Sequence, residues 1–174
     1  MTGSNKGIGK AIVKELCSHF DGDVFLTSRD VDRGLATVEE LNKQGFKPKY
    51  HQLDIDDEAS VLKFRDFLKE TYGGLDVLVN IAAILIPWRG GSIELFGEHA
   101  KKTLDTNFFN TLRTCNILFP ILRPHARVVN LTSMLGHLIM IKGQDGAAVA
   151  LKTKLASDNL TEDELVKLMQ NFVE

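Results

Sequence analysis

Four short strand-like runs, separated by stretches of helical period, set the fold this chain can adopt. Val24-Phe25-Leu26-Thr27-Ser28 reads as a buried strand, Leu75-Asp76-Val77-Leu78-Val79-Asn80 as a strong strand, Tyr50 to Leu53 as a weaker one and Arg127 to Leu131 as a further strand candidate. Apolar residues recur at helical spacing before and between them: Ile8, Ala11, Ile12, Leu16 and Phe20; Val31, Leu35, Val38 and Leu41; Val61, Phe64, Phe67 and Leu68. A longer helical stretch runs from Phe96 to Leu118, and Pro120 and Pro124 end it. Strands alternating with helices pair in parallel through right-handed crossovers, which put helices on both faces of the sheet. The pattern predicts a doubly wound parallel α/β sheet. Beyond Gly136 the pattern weakens, until the capping box Thr161-Glu162-Asp163-Glu164 opens a last helix with Leu165, Leu168, Met169 and Phe172 on one face.

Bulk properties exclude several classes. The 174 residues carry a formal net charge of −2 and are 44% hydrophobic and 25% charged, the balance of an ordinary globular protein with no nucleic-acid footprint. The longest apolar run, Ile81 to Trp88, is far short of a membrane span, and no secretory leader is visible. Cys17 and Cys115 lack metal-like spacing, as do His19, His51, His99, His125 and His137, so no metal site is expected. Two reduced cysteines point to a cytoplasmic protein.

The chemistry-bearing stretch is Thr2-Gly3-Ser4-Asn5-Lys6-Gly7-Ile8-Gly9. Glycines there allow positive φ and a close backbone approach, and the helix that follows offers free N–H groups to a phosphate. At the end of the first apolar run stand Arg29, a cation suited to an extra phosphate, and Asp30, read as the N-cap of the next helix.

With Leu53-Asp54-Ile55-Asp56, Gly74 to Asn80, Thr106-Asn107-Phe108-Phe109 and Arg127 to Ser133, this turn resembles the short-chain dehydrogenases/reductases, and within them the NADPH-dependent carbonyl reductases. The resemblance implies a Rossmann-like fold and, over residues 1–174, a single partial NADP-binding domain. It implies that Gly3, Asn5, Lys6, Gly7, Ile8 and Gly9 form the pyrophosphate turn. Arg29 would meet the NADPH phosphate, with Lys6 approaching it. Asp54 would accept from the adenine amino group, Ile55 would pack on that ring, and Asn80 would border the cofactor. Ser133 would bond the substrate carbonyl oxygen, and Asn107 would hold a water in the proton relay. Trp88 would line a substrate pocket or, equally, serve as a solvent-shielding loop aromatic. The final helix would cover a surface that relatives use for association, implying a monomer.

Three departures from the family qualify this expectation. Asn80-Ile81-Ala82-Ala83 replaces Asn-Asn-Ala-Gly, so a polar group is lost and a Cβ is added beside the cofactor ribose. The family's acid is the Tyr of Tyr-x-x-x-Lys, whereas the tyrosines here, Tyr50 and Tyr72, are followed four residues later by Asp54 and Asp76. The first strand of the 3-2-1-4-5 order and the later strands are also missing, leaving unpaired edges beside the runs at Val24 and Leu75. The expectation is therefore an inactive, marginally stable fragment of an enzyme that reduces aldehydes, ketones or quinones. The alternative is a short isoform that binds nucleotide or a partner without turnover.

Overall fold

The computed structural model describes residues 1–87, 90–143 and 145–173; Trp88 lies outside them. The element order is α1 (Gly7–His19), β1 (Phe25–Ser28), α2 (Val31–Lys43), β2 (Lys49–Gln52), α3 (Glu58–Tyr72), β3 (Leu75–Asn80), α4 (Ile93–Leu104), a π-helical turn (Asp105–Asn110), α5 (Thr111–Leu118), β4 (Leu122–Asn130), α6 (Gly146–Leu155) and α7 (Glu162–Asn171). These form two compact units: Met1–Gly90 with Lys102–Leu131, and Gly91–Lys101 with Thr132–Glu174.

The first unit carries the strands. β1 pairs with β2 and β3 with β4, both in parallel. Alternating side chains send β1 to two cores. Leu26 joins Val13, Val24 and Leu41 under α1 and α2. Phe25 points the other way, edge-on to Phe64, Phe67 and Tyr72 of α3. Leu53, Val61, Phe64, Leu68, Leu78 and Leu118 form the second core, beneath α3 and α5. Helices on both faces make this the expected doubly wound arrangement. Burying each such leucine is worth roughly 1.5–3 kcal/mol.

No strand separates β1 from β3 among the described residues; Met1–Ser4 bridge them instead. The Met1 amino group donates to the Phe25 carbonyl (3.2 Å), Thr2 N–H to Val79 (3.0 Å) and Ser4 N–H to Thr27 (2.9 Å). Bonds therefore alternate between the two walls, as from a short parallel strand. Beyond Met1 the space continues as a cavity of about 440 Å³.

Two local features differ from the sequence reading. The long helix from Phe96 is interrupted by the π-helical turn, and Pro124 lies inside a strand rather than before it. Leu75 pairs with Leu122 but Val77 with Arg127, so β4 bulges between them, with His125 at φ 66°. Proline has no N–H for the ladder, and the bulge removes it from pairing. Arg123, in the same bulge, is tied to Asp76 at 2.6 Å and to the Tyr72 carbonyl.

In the second unit the capping box at Thr161 and Glu164 is formed, and Lys154 pairs with Glu164 at 3.2 Å. α6, capped by Asp145, is an element the sequence did not reveal. No helix of the described residues is long and apolar enough to cross a membrane.

Candidate functional site

The turn from Gly3 to Gly9 is built by its neighbours on both sides. Ser4, fully buried, accepts the Thr27 N–H on its Oγ (2.9 Å) and donates to the Met1 carbonyl (3.0 Å). Thr2 Oγ1 accepts from both Ile81 N–H (2.9 Å) and Ala82 N–H (3.0 Å), joining the turn to the chain leaving β3. Gly3 has φ +57°, and a Cβ on it would lie 2.8 Å from the Ala82 Cα. Gly7 has φ +53° with nothing within 4 Å of a Cβ position, so its outer face is open.

Helix α1 starts behind Lys6 with no side-chain cap and no acidic residue in its first turn. α2, α3, α6 and α7 are by contrast capped by Asp30, Asp57, Asp145 and Thr161. Its first N–H groups and the positive end of its dipole thus have no side-chain acceptor, the arrangement that suits an anion. Lys6 and Arg29 are both exposed. Asp30 is already engaged: its carboxylate accepts the Arg33 N–H (3.0 Å) and pairs with the Arg33 guanidinium (3.1 Å). The Arg29 carbonyl is fixed by Gln52 Nε2 at 3.0 Å.

Asp54 and Ile55 sit on a braced turn after β2. The Asp54 carboxylate accepts the Asp56 N–H (3.1 Å), and the Asp54 N–H donates to Ser60 Oγ (3.0 Å). Arg113 donates to the Ile55 carbonyl (2.9 Å) and Asn110 to the Asp56 carboxylate (2.8 Å).

These stretches enclose one cavity of about 480 Å³. Of the residues singled out in the sequence, Gly3, Asn5, Lys6, Gly7, Ile8, Gly9, Arg29, Asp54 and Ile55 line it. Ala82, Ala83 and Arg33 line it as well, and the sequence reading gave Arg33 no role. Its place on the first turn of the helix that starts just after Arg29 was the available signal.

Asn80 does not line the cavity. It is buried, and its Nδ2 donates to Asn130 Oδ1 (2.9 Å) and Cys115 Sγ (3.2 Å). Its contacts thus brace β3 against β4 and α5. Asn107 holds Ile84 from the π-helical turn and belongs to the first unit. Ser133 belongs to the second unit, is exposed, and accepts the Leu135 N–H at 3.2 Å to start a short 3₁₀ turn.

Neither tyrosine is part of the cavity lining. Tyr50 OH lies 3.2 Å from Ser28 Oγ. Tyr72 OH donates to Asp23 (2.8 Å) and accepts from Lys49 (2.9 Å). Hydrogen bonds from Lys49 and Tyr72 hold the Asp23 carboxyl below its usual range. No group of three or more His, Cys, Asp or Glu residues able to hold a metal occurs among the described residues.

The chain is 48% identical over all 174 residues to carbonyl reductase [NADPH] 3 of Homo sapiens and spans 61% of that protein's length. Among solved structures, menthone neomenthol reductase from Mentha piperita superposes with a TM-score of 0.84 at 30% identity, over 99% of this chain and 71% of that one. A short chain dehydrogenase from Burkholderia cenocepacia J2315 in complex with NADP gives 0.63 at 28% identity, over 98% of this chain and 64% of that one. The family model for short chain dehydrogenases matches residues 1–162, and with the glycine turn, the uncapped helix and the parallel strands in place, this chain belongs to that family.

Proposed function

We propose that this chain supplies the NADPH-binding part of a carbonyl reductase-type oxidoreductase, with residues 1–174 acting as one NADP-binding, Rossmann-like domain. The observation that carries the reading is the convergence of the Gly3–Gly9 turn, Arg29 and the Asp54–Ile55 turn on one cavity. The residues present fit the nucleotide. The open face at Gly7 and the uncapped start of α1 suit a pyrophosphate. Lys6 and Arg29 suit the extra phosphate that distinguishes NADPH, while Asp30, the carboxylate that could favour NADH, is occupied by Arg33. Asp54 would bind the adenine amino group and Ile55 its ring. NADPH, when bound, supplies the hydride.

Ser133 is proposed to bond the oxygen of a small-molecule carbonyl substrate, and Asn107 to order a relay water. With Tyr50 and Tyr72 both engaged elsewhere and neither followed by the family lysine, the 174-residue chain lacks a phenolic acid for the carbonyl oxygen. The reading is therefore nucleotide binding without efficient carbonyl reduction in this chain. A cytoplasmic monomer that engages neither nucleic acid nor membrane completes it. Titration of NADPH fluorescence against the chain tests the reading, with a quinone added to follow oxidation. Saturable binding of NADPH in preference to NADH, without quinone-dependent turnover, is expected; no binding of either nucleotide overturns the reading.

A further inference from the structure

Asn110 and Arg113 stand three residues apart where the π-helical turn passes into α5, so they share one helix face. Both donate to the turn after β2. Asn110 Nδ2 reaches the Asp56 carboxylate (2.8 Å), and Arg113 Nη2 reaches the Ile55 carbonyl (2.9 Å). The other arm of the guanidinium lies 3.9 Å from the Glu58 carboxylate. Arg113 Nε is buried with no hydrogen-bond partner among the described residues, so the side chain is committed to this turn through its fork.

The carbonyl that Arg113 holds belongs to the same planar peptide as the Asp56 N–H. That N–H donates to Asp54 Oδ1 at 3.1 Å. One peptide thus carries a hydrogen-bonded chain from the Arg113 guanidinium to the Asp54 carboxylate, and each bond strengthens the other. Rotating the peptide breaks both at once. Asp54 Oδ1 is taken by this chain, while Oδ2 makes no hydrogen bond among the described residues. The other acids of the turn are engaged: Asp56 by Asn110, and Asp57 by the Ala59 N–H at the start of α3. Asp54 and Asp56 both line the cavity beside the glycine turn, so Asp54 is the carboxylate left to meet a ligand there.

We propose, resting on the NADPH-binding reading, that Arg113 with Asn110 positions this turn to select adenine over a 6-oxopurine. With the peptide and Oδ1 fixed, Asp54 offers one oriented acceptor to an exocyclic amino group, and adenine supplies that donor. A hypoxanthine base places a carbonyl oxygen at the same point, facing the carboxylate with no proton between them. Without Arg113 the Ile55–Asp56 peptide is free to turn, and Asp54 loses the N–H that holds its carboxylate in place. The two bases are then no longer told apart.

The test titrates NADPH and its hypoxanthine analogue against the 174-residue chain by nicotinamide fluorescence. Both ligands keep the pyrophosphate and the extra phosphate, so the ratio of their affinities reports the base. The unsubstituted chain should prefer NADPH at least about tenfold, the worth of one charge-assisted hydrogen bond. Arg113→Met, similar in reach and uncharged, should reduce the preference to about threefold or less, by weakening NADPH and leaving the analogue nearly unchanged. Asn110→Ala should move the ratio the same way, and it carries the test if the Arg113 variant does not fold. In an Asp54→Ala background, Arg113→Met should leave the ratio unmoved, because it acts through that carboxylate. Equal losses of both ligands in Arg113→Met assign the residue to the fold alone and overturn the proposal. So does a further change of ratio in the Asp54→Ala background. Saturable binding without base preference in the unsubstituted chain overturns the proposal and leaves the nucleotide reading standing, whereas no binding of either ligand overturns both.

Discussion

Asn107 and Ile84 hold each other reciprocally: Asn107 Oδ1 accepts the Ile84 N–H and its Nδ2 donates to the Ile84 carbonyl, each at 2.8 Å. The side chain thereby pins the segment leaving β3 to the π-helical turn. Ile84 also lines the cavity beside the glycine turn. Asn107→Leu keeps the size and removes both bonds, so a loss of about 1–2 kcal/mol is expected in denaturant unfolding. NADPH affinity should fall with it. Unchanged stability would show that the pair is dispensable.

The two positive-φ glycines of the turn should respond differently to alanine. At Gly3 the new Cβ meets backbone at 2.8 Å, so Gly3→Ala should lose the cooperative transition seen by circular dichroism. At Gly7 there is open space, so the cost should be only the left-handed backbone penalty of about 1–2 kcal/mol. Gly7→Ala should still weaken NADPH more than it weakens the fold, because its Cβ enters the cavity.

Cofactor preference should follow the free cations. Lys6→Ala and Arg29→Ala should each weaken NADPH about tenfold while leaving NADH nearly unchanged, as read by calorimetric titration. Arg33→Ala should have a smaller effect, because its guanidinium already pairs with Asp30 at 3.1 Å. Equal losses for both nucleotides in the Arg29 variant would remove that residue from phosphate recognition.

Stability of the 174-residue chain should depend on pH through its amino terminus. The folded pKa of Met1 is about 5, against 8.0 for the ordinary value, so the unfolded chain binds the extra proton between those limits. Stability should therefore rise as pH increases from 5 to 8, by an amount on the order of 4 kcal/mol if the full shift is realised. Below pH 5 this contribution is fully lost, and above 8 it is flat. Nα-acetylated chain, which has no titrating amine, should show no such rise in parallel unfolding curves.

Local periodicity made much of the first unit legible. α1 to α3, β1 and β3 follow apolar spacing, and Asp30 and Thr161 announce their helices by side-chain chemistry that works within one turn. α6 was not legible because Gly146–Leu155 is rich in small residues and carries no apolar stripe. The π-helical turn at Asp105–Asn110 coincides with a tertiary bond between Asn107 and Ile84, which no helical pattern encodes.

At the site, turn chemistry located the glycines and a strand end located Arg29, while the family resemblance brought Asp54 to them; all of them line one cavity. Asn80 went elsewhere because strand alternation turns it toward Cys115 and Asn130. Ser133 follows a strand, as expected, but its side chain starts a 3₁₀ turn in the second unit, where sequence spacing gives no coordinates.

The stitching of the glycine turn has a mechanical consequence. Ser4 fastens it to β1, and Thr2 fastens it to the end of β3 and the residues beyond, so the turn is a hinge pin across the seam between two half-sheets. A nucleotide reaching from Arg29 to Ala82 would gauge the width of that seam. The width of that seam and the binding of such a nucleotide are then coupled, each altering the other by the same factor.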